Sequence, residues 1–397
     1  MKNNFSNLND RLNTLSVFRS LLDTELFDSL QSLLQAVSNE SQEIQLSRYG
    51  KFVSEIYRLS GNLSESVKKL TLEDENFYVI NKSKNTLISP SIEECLNNEL
   101  DLLQEVSNIT SSSIKAQIDF EGFLPDWDTS SIDLRNDYKS MIEQLPFTGY
   151  GIFSKYNAFS IRNGKLAPIT YSDKQSLSSL YGYQRERNLV FENTKALVNG
   201  KTASNVLLYG DAGTGKSSTI KAVANHFYES GLRLVEFNKN QLDSILPIME
   251  ELSNNPLKFI LYIDDLSFSQ NDDTFCSLKG ILEGSVASYA GNIAIYATSN
   301  RRHLLKESME DRVGNQLHIN DSLQETMSLA ARFGLTITFS KPEKDLYLEI
   351  VKSLANEYNV TLPDDQLYRK AEAFAIRSSG RSPRTAKQFI RLLNIGL

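Results

Sequence analysis

The chain has 397 residues, 40% of them hydrophobic, with only 19 Gly and 9 Pro; it can bury a large core across two or three domains, which excludes a disordered or collagen-like polymer. Two cysteines, Cys95 and Cys276, stand far apart and outside any Cys-x-x-Cys, and the three histidines (His226, His303, His318) have no metal-ligand spacing, so a disulfide framework and a zinc ribbon are excluded and a cytoplasmic location is expected. The net charge of −7 is uneven: residues 1–145 hold 13 Lys/Arg against 23 Asp/Glu, and the remainder 29 against 26.

An acidic first third disfavours direct nucleic-acid binding and would suit a basic protein partner. No apolar run approaches ~18 residues and the N-terminus has no apolar signal core, so no membrane span is expected. Leu8, Leu12, Leu15, Leu22, Leu26, Leu30, Leu33 and Val37 recur at helical spacing, on one helix or on two broken near Asp23-Thr24. Residues 43–59, 61–72 and 91–106 also read as helices. Phe77-Tyr78-Val79-Ile80 reads as a strand. Residues 107–131 read as a linker carrying one strand, Ile114 to Phe120, followed by a helix near 132–145.

Residues 149–171 predict a hairpin module: Gly151-Ile152-Phe153, Phe159-Ser160-Ile161, the turn Asn163-Gly164, then Leu166 to Tyr171. A charged helix up to Val198 follows the run Leu180-Tyr181-Gly182-Tyr183. Leu180, Tyr181 and Gly182 are candidate contacts to a purine, because this run lies just ahead of the next motif.

That motif is Gly210-Asp211-Ala212-Gly213-Thr214-Gly215-Lys216-Ser217, which satisfies G-x-x-x-x-G-K-[ST]. An apolar run, 205–209, precedes it and a helix starting at Ser218 follows. Glycines let the backbone curl so that its N–H groups converge on a phosphate, and the helix N-terminus adds partial positive charge. Lys216 is placed for the β- and γ-phosphates of ATP, and the Ser217 hydroxyl for Mg²⁺.

Two further strands follow, 232–237 and Phe259–Ile263. The second ends in Asp264-Asp265, a Walker B pattern. Asp264 would hold Mg²⁺ and Asp265 would activate water. Asp is one methylene shorter than the more usual glutamate. A strand at 292–298 ends in Ser299-Asn300, and Asn300 is placed to reach the γ-phosphate or the water. Arg332 precedes strand 335–339, where an arginine can act on a neighbouring subunit's nucleotide. Arg301, Arg302 and Arg312 are alternatives. The last 57 residues read as three helices, with Arg384 in the first turn of the third. Arg377, Arg381, Lys387 and Arg391 extend a basic stripe that could also contact nucleic acid.

GDAGTGKS, LYIDDLS, ATSN, AARFG and SGRSPR, in that order, resemble the AAA+ ATPases over about residues 175–397. YGYQRERN, YIDDLSF and ATSNRRHLL resemble, more narrowly, a bacterial AAA+ family of unassigned physiological role. The resemblance implies an α/β class: an αβα parallel-sheet domain with a C-terminal helical lid, behind a mostly helical N-terminal domain. It also implies ATP, Mg²⁺ and a homo-oligomer, with a hexameric ring as one form. By motif, Lys216 and Ser217 take the Walker A roles, Asp264 and Asp265 the Walker B roles, Asn300 the first sensor, Arg332 the arginine finger and Arg384 the second sensor. The expected divisions are 1–110, a helical accessory domain; 111–174, a linker and small β module; 175–340, the nucleotide-binding domain; and 341–397, the lid.

Overall fold

A computed structural model describes residues 2–84, 86–171, 175–267, 278–282, 291–300, 331–378 and 380–396. The chain divides into two compact units, Met1–Ser154 and Lys155–Leu397.

The first unit is helical. The break foreseen near Asp23 is made by Thr24, whose hydroxyl caps helix Glu25–Asn39 by accepting from the Phe27 N–H. That helix packs between Lys2–Leu12 and Gln42–Leu59. Its core is built from Leu12, Phe18, Phe27, Leu33, Phe52, Val67 and Leu103. Two expected strands are helices instead. Phe77–Ser83 is a helix capped by Asn76, whose side chain accepts from the Val79 N–H. Tyr78 and Val79, adjacent in sequence, are both buried, which one face of a strand could not achieve. Ser111–Lys115 is a helical turn capped by Thr110, and Ile114 and Ile118 share its buried side. The stretch expected as a linker is part of this core: Trp127 is buried and its indole N–H donates to the Ile109 carbonyl at 2.9 Å. Gly151–Phe153, expected as a strand, leads into a short helix, Ile152–Lys155.

In the second unit seven strands form one sheet: β1 Ala158–Arg162, β2 Lys165–Pro168, β3 Val206–Gly210, β4 Leu232–Phe237, β5 Lys258–Ile263, β6 Ile293–Ser299 and β7 Leu335–Phe339. The order is β2-β1-β4-β5-β6-β3-β7. Every pairing is parallel except β1 with β2. The Asn163-Gly164 turn has positive φ at both residues, 51° and 73°, as a type I′ hairpin requires. The hairpin is therefore not a separate module: β1 pairs with β4 and extends the sheet. The middle strands are buried on both faces, which is why they read as unbroken apolar runs.

Helices Lys344–Glu357, Asp364–Arg377 and Pro383–Asn394 follow β7. Pro383 occupies the first turn of the last, and the Ser382 hydroxyl accepts from the Thr385 N–H, the start foreseen from Ser382-Pro383. Ile350, Leu354, Ala371, Ala386, Phe389 and Ile390 belong to the same buried cluster as β3 and β5.

Candidate functional site

The topology brings the C-terminal ends of β3, β5 and β6 side by side, with β6 between the other two. This is the crevice where parallel sheets gather ligand-binding loops. The loop after β3 needs its glycines: Gly210, Gly213 and Gly215 have φ of 135°, 78° and 97°. A Cβ on Gly210 would lie 2.2 Å from the Phe339 carbonyl oxygen, so the loop passes tight against the end of β7. The Thr214 hydroxyl closes the turn by donating to the Asp211 carbonyl at 2.8 Å.

Lys216 opens helix Lys216–His226 and is only 5% exposed. Its Nζ donates to the carbonyls of Gly210 (3.0 Å) and Asp211 (2.8 Å) and to Asn300 Oδ1 (3.0 Å). Burial pushes its pKa down, against the pull of Asp211, Asp265 and Asp264. Next to it, Ser217 Oγ donates to Asp264 Oδ1 at 2.9 Å. The same carboxylate oxygen takes the Thr298 hydroxyl at 2.6 Å. Partial burial would raise Asp264, but the hydroxyls of Thr298, Tyr262 and Ser217 around it outweigh burial and hold the group below the usual carboxylate range.

Asp265 sits in the left-handed region at φ 53°, which Asp tolerates better than most residues. Its N–H donates to Thr298 Oγ1 at 3.0 Å. Its Oδ1 accepts from Asn300 Nδ2 at 2.8 Å. The structure thus brings Lys216, Ser217, Asp264, Asp265 and Asn300 into one polar cluster. Ser218 lies beside it, lining the adjoining cavity.

That cavity, about 210 Å³, is lined by Leu180, Tyr181 and Gly182 on one side and by Gly213, Thr214 and Gly215 on another. Arg384 and Lys387 reach it from the lid. Gly182 has φ 71°, and a Cβ there would meet the Ile350 side chain at 2.8 Å. Arg384 is brought to the loop directly, its backbone N–H donating to the Gly213 carbonyl at 3.2 Å. Arg332 is not part of the cluster. It precedes β7, whose Leu335 pairs with Val206 and whose Phe339 pairs with Gly210. Arg332 thus stands beyond the opposite end of β7, roughly 13 Å or more from the loop end. Arg301, Arg302 and Arg312 lie outside the described residues.

Sequence reasoning passed over Thr298, although it stands two residues before Asn300 on the same strand face. It also passed over Tyr183, whose hydroxyl donates to the Ser340 carbonyl at 2.6 Å. Among the described residues no three His, Cys, Asp or Glu side chains gather as a metal cage, and no helix is long and apolar enough to cross a membrane.

Residues 154–396 match the family described as a protein of unknown function, DUF815. The chain belongs to the DUF815 family. This DUF815 chain is also 27% identical, over 252 residues, to an ORC1-type DNA replication protein of Methanocorpusculum labreanum; the match takes in 58% of this chain and 56% of that protein's length. Among solved structures, the Thermotoga maritima RuvB Holliday junction branch migration motor aligns with a TM-score of 0.39 at 17% identity, over 56% of this chain and 64% of that one. A variant of the same motor gives 0.38 at 17% identity, over the same shares of the two chains. The glycine loop after β3, the parallel order of β4-β5-β6-β3-β7 and the three C-terminal helices make the second unit of this DUF815 protein an AAA+ fold.

Proposed function

We propose that this DUF815 protein is an ATPase that works as an oligomer in the cytoplasm and couples ATP hydrolysis to remodelling or loading a macromolecular partner. The observation that carries the reading is the shared grip of Asn300 on Lys216 and Asp265. One amide joins a phosphate-seeking cation to a carboxylate suited to deprotonating water.

The donor set fits a hard cation. Mg²⁺ is commonly held by one or two protein oxygens plus phosphates rather than by a protein cage, and Ser217 Oγ and Asp264 Oδ1 lie 2.9 Å apart. Bound there, Mg²⁺ would neutralise charge on the β- and γ-phosphate oxygens. The chain's own residues do the rest. Lys216 exchanges the Gly210 and Asp211 carbonyls for phosphate oxygens, and the N–H groups of 213–217 cradle them. Asp265 takes a proton from water as the water oxygen bonds to the γ-phosphorus and the bond to the bridging oxygen breaks. Asn300 holds that carboxylate in place. Tyr181 and Gly182 wall the purine. Arg384 steadies the phosphates from the lid, and Arg332 serves the site of a neighbouring subunit.

The acidic balance of residues 1–145 favours a basic protein partner over nucleic acid, although the curated relative is named a DNA replication protein. A second reading is a nucleotide-dependent assembly switch with little turnover. The short Asp265, already engaged by Asn300, favours it.

ATP hydrolysis per chain, measured over a protein concentration series beside Lys216→Ala and Arg332→Ala, tests the proposal. A rate that rises with concentration and is lost in both variants supports shared sites. Tight ATP binding with a flat, near-zero rate moves the assignment to the switch.

A further inference from the structure

Tyr262 is a buried side chain beside the cluster that the proposed chemistry does not use. It lies on β5 two residues before Asp264, which follows the strand's last residue, Ile263, and the two-residue spacing puts it on the side towards which Asp264 leaves the strand. It is 1% exposed, and its hydroxyl, although close to Asp264, completes no hydrogen bond of good geometry. The groups around that hydroxyl are Asp264, Ser217 and Thr298. A buried hydroxyl without a partner works against folding, so phenylalanine would serve the core better if packing were the only demand. The position instead aims a proton donor at the pair of oxygens assigned to the cation.

Asp264 Oδ1 already accepts three donors: Thr298 Oγ1, Ser217 Oγ and the Asp265 N–H. One of them cannot persist in the loaded site. When Ser217 turns its oxygen lone pair to a divalent cation, the proton it gave Asp264 is redirected. Tyr262 is the buried donor standing beside both. On the nucleotide reading given above, we propose that Tyr262 is a positioning residue: its hydroxyl replaces Ser217 as donor to Asp264 when Ser217 ligates the cation, and so strengthens the Mg²⁺ dependence of nucleotide binding. Groups that orient metal ligands from behind typically change metal affinity by about 10- to 100-fold.

The test is Tyr262→Phe in the full chain, which keeps the ring and removes only the hydroxyl. Fluorescent mant-ADP reports binding at increasing Mg²⁺ and, separately, in EDTA. The expected result is a Mg²⁺ half-point raised about tenfold, an EDTA affinity within about twofold of the parent, and a melting temperature unchanged or higher. A half-point within twofold of the parent overturns the inference. So does an equal loss of affinity in EDTA, which would mark a packing defect. Ser217→Ala is the control for the underlying reading: if it leaves the Mg²⁺ half-point in place, or if the parent does not bind mant-ADP, the nucleotide assignment itself falls and this inference with it.

Discussion

Asn300 Nδ2 donates to Asp265 Oδ1 at 2.8 Å, so the side chain expected to sense the γ-phosphate also fixes the carboxylate expected to activate water. Asn300→Ala should lower ATP turnover by about 10²-fold, the smaller end of what positioned acid–base groups contribute, with mant-ADP affinity changed less than about threefold. Steady-state phosphate release beside equilibrium binding separates the two effects.

The short Asp265 need not be a defect to be repaired. Its backbone is left-handed at φ 53°, a region in which Asp is enriched among non-glycine residues. A longer Glu would also carry its carboxylate past Asn300. Asp265→Glu is therefore expected to leave turnover at or below the parent rate. A rise of roughly tenfold, about 1.4 kcal/mol of barrier, would show instead that the missing methylene limits the reaction. Asp265→Asn should abolish turnover and retain binding.

Thr298 holds both carboxylate residues, donating to Asp264 and accepting from the Asp265 N–H. Thr298→Val keeps the shape but removes a hydrogen bond to the Asp264 carboxylate and one of the two acceptors of the Asp265 N–H, at a cost of about 1–3 kcal/mol. Thr298→Ser should restore most of it. Differential scanning calorimetry and phosphate release, run on the same preparations, check stability and activity together.

In the first unit, Glu99 is 6% exposed and accepts from the backbone N–H groups of Ser16, Val17 and Phe18, at 2.6 to 3.2 Å. Hydrogen bonds to a charged group are worth about 1.5–3 kcal/mol each in favourable settings, and three backbone donors and the Cys95 thiol lose their acceptor in Glu99→Ala. A loss of roughly 3 kcal/mol is expected. Trp127 is the sole tryptophan and lies in this unit's core, so its fluorescence during urea unfolding follows this unit without interference from the other.

Cys95 donates its thiol to Glu99 Oε1 at 3.1 Å. Burial first, then this carboxylate, pushes the thiol up to about 11. Two units above the ordinary value of 9.0 leaves about a hundredfold less thiolate at pH 8, and the thiolate is what alkylates. Site-resolved iodoacetamide labelling at Cys95 should stay slow at pH 8 and climb steadily to beyond pH 10. By linkage, the folded state keeps this proton longer than the unfolded chain does. The stability it contributes is full below pH 9 and fades as pH rises towards 11.

The second unit was legible because its signals are local. Strands buried on two faces are apolar runs, and three of them, β3, β5 and β6, lead into residues of recognisable motifs, Gly210, Asp264 and Asn300. What stayed hidden depended on neighbours far away in sequence. Thr298 matters only because β6 lies beside β5, and Tyr262 reads as one more apolar strand residue until its hydroxyl is seen to be stranded. The Asn163-Gly164 turn was legible, but not that β1 would seat on β4. In the first unit, Phe77–Ile80 is too short a run for periodicity to decide, and the Asn76 cap tips it to a helix.

The glycine loop after β3 is tied at three points to the end of β7, the root of the lid and the lid's last helix. Asp211 Oδ2 accepts from the Lys341 N–H at 2.8 Å, the Gly213 carbonyl from Arg384 N–H, and the Asp211 N–H donates to the Phe339 carbonyl. Tyr183 grips the same root at Ser340. Loop and lid are therefore joined through hydrogen bonds, so the conformation of the loop and the seating of the three helices on the sheet are not independent of one another.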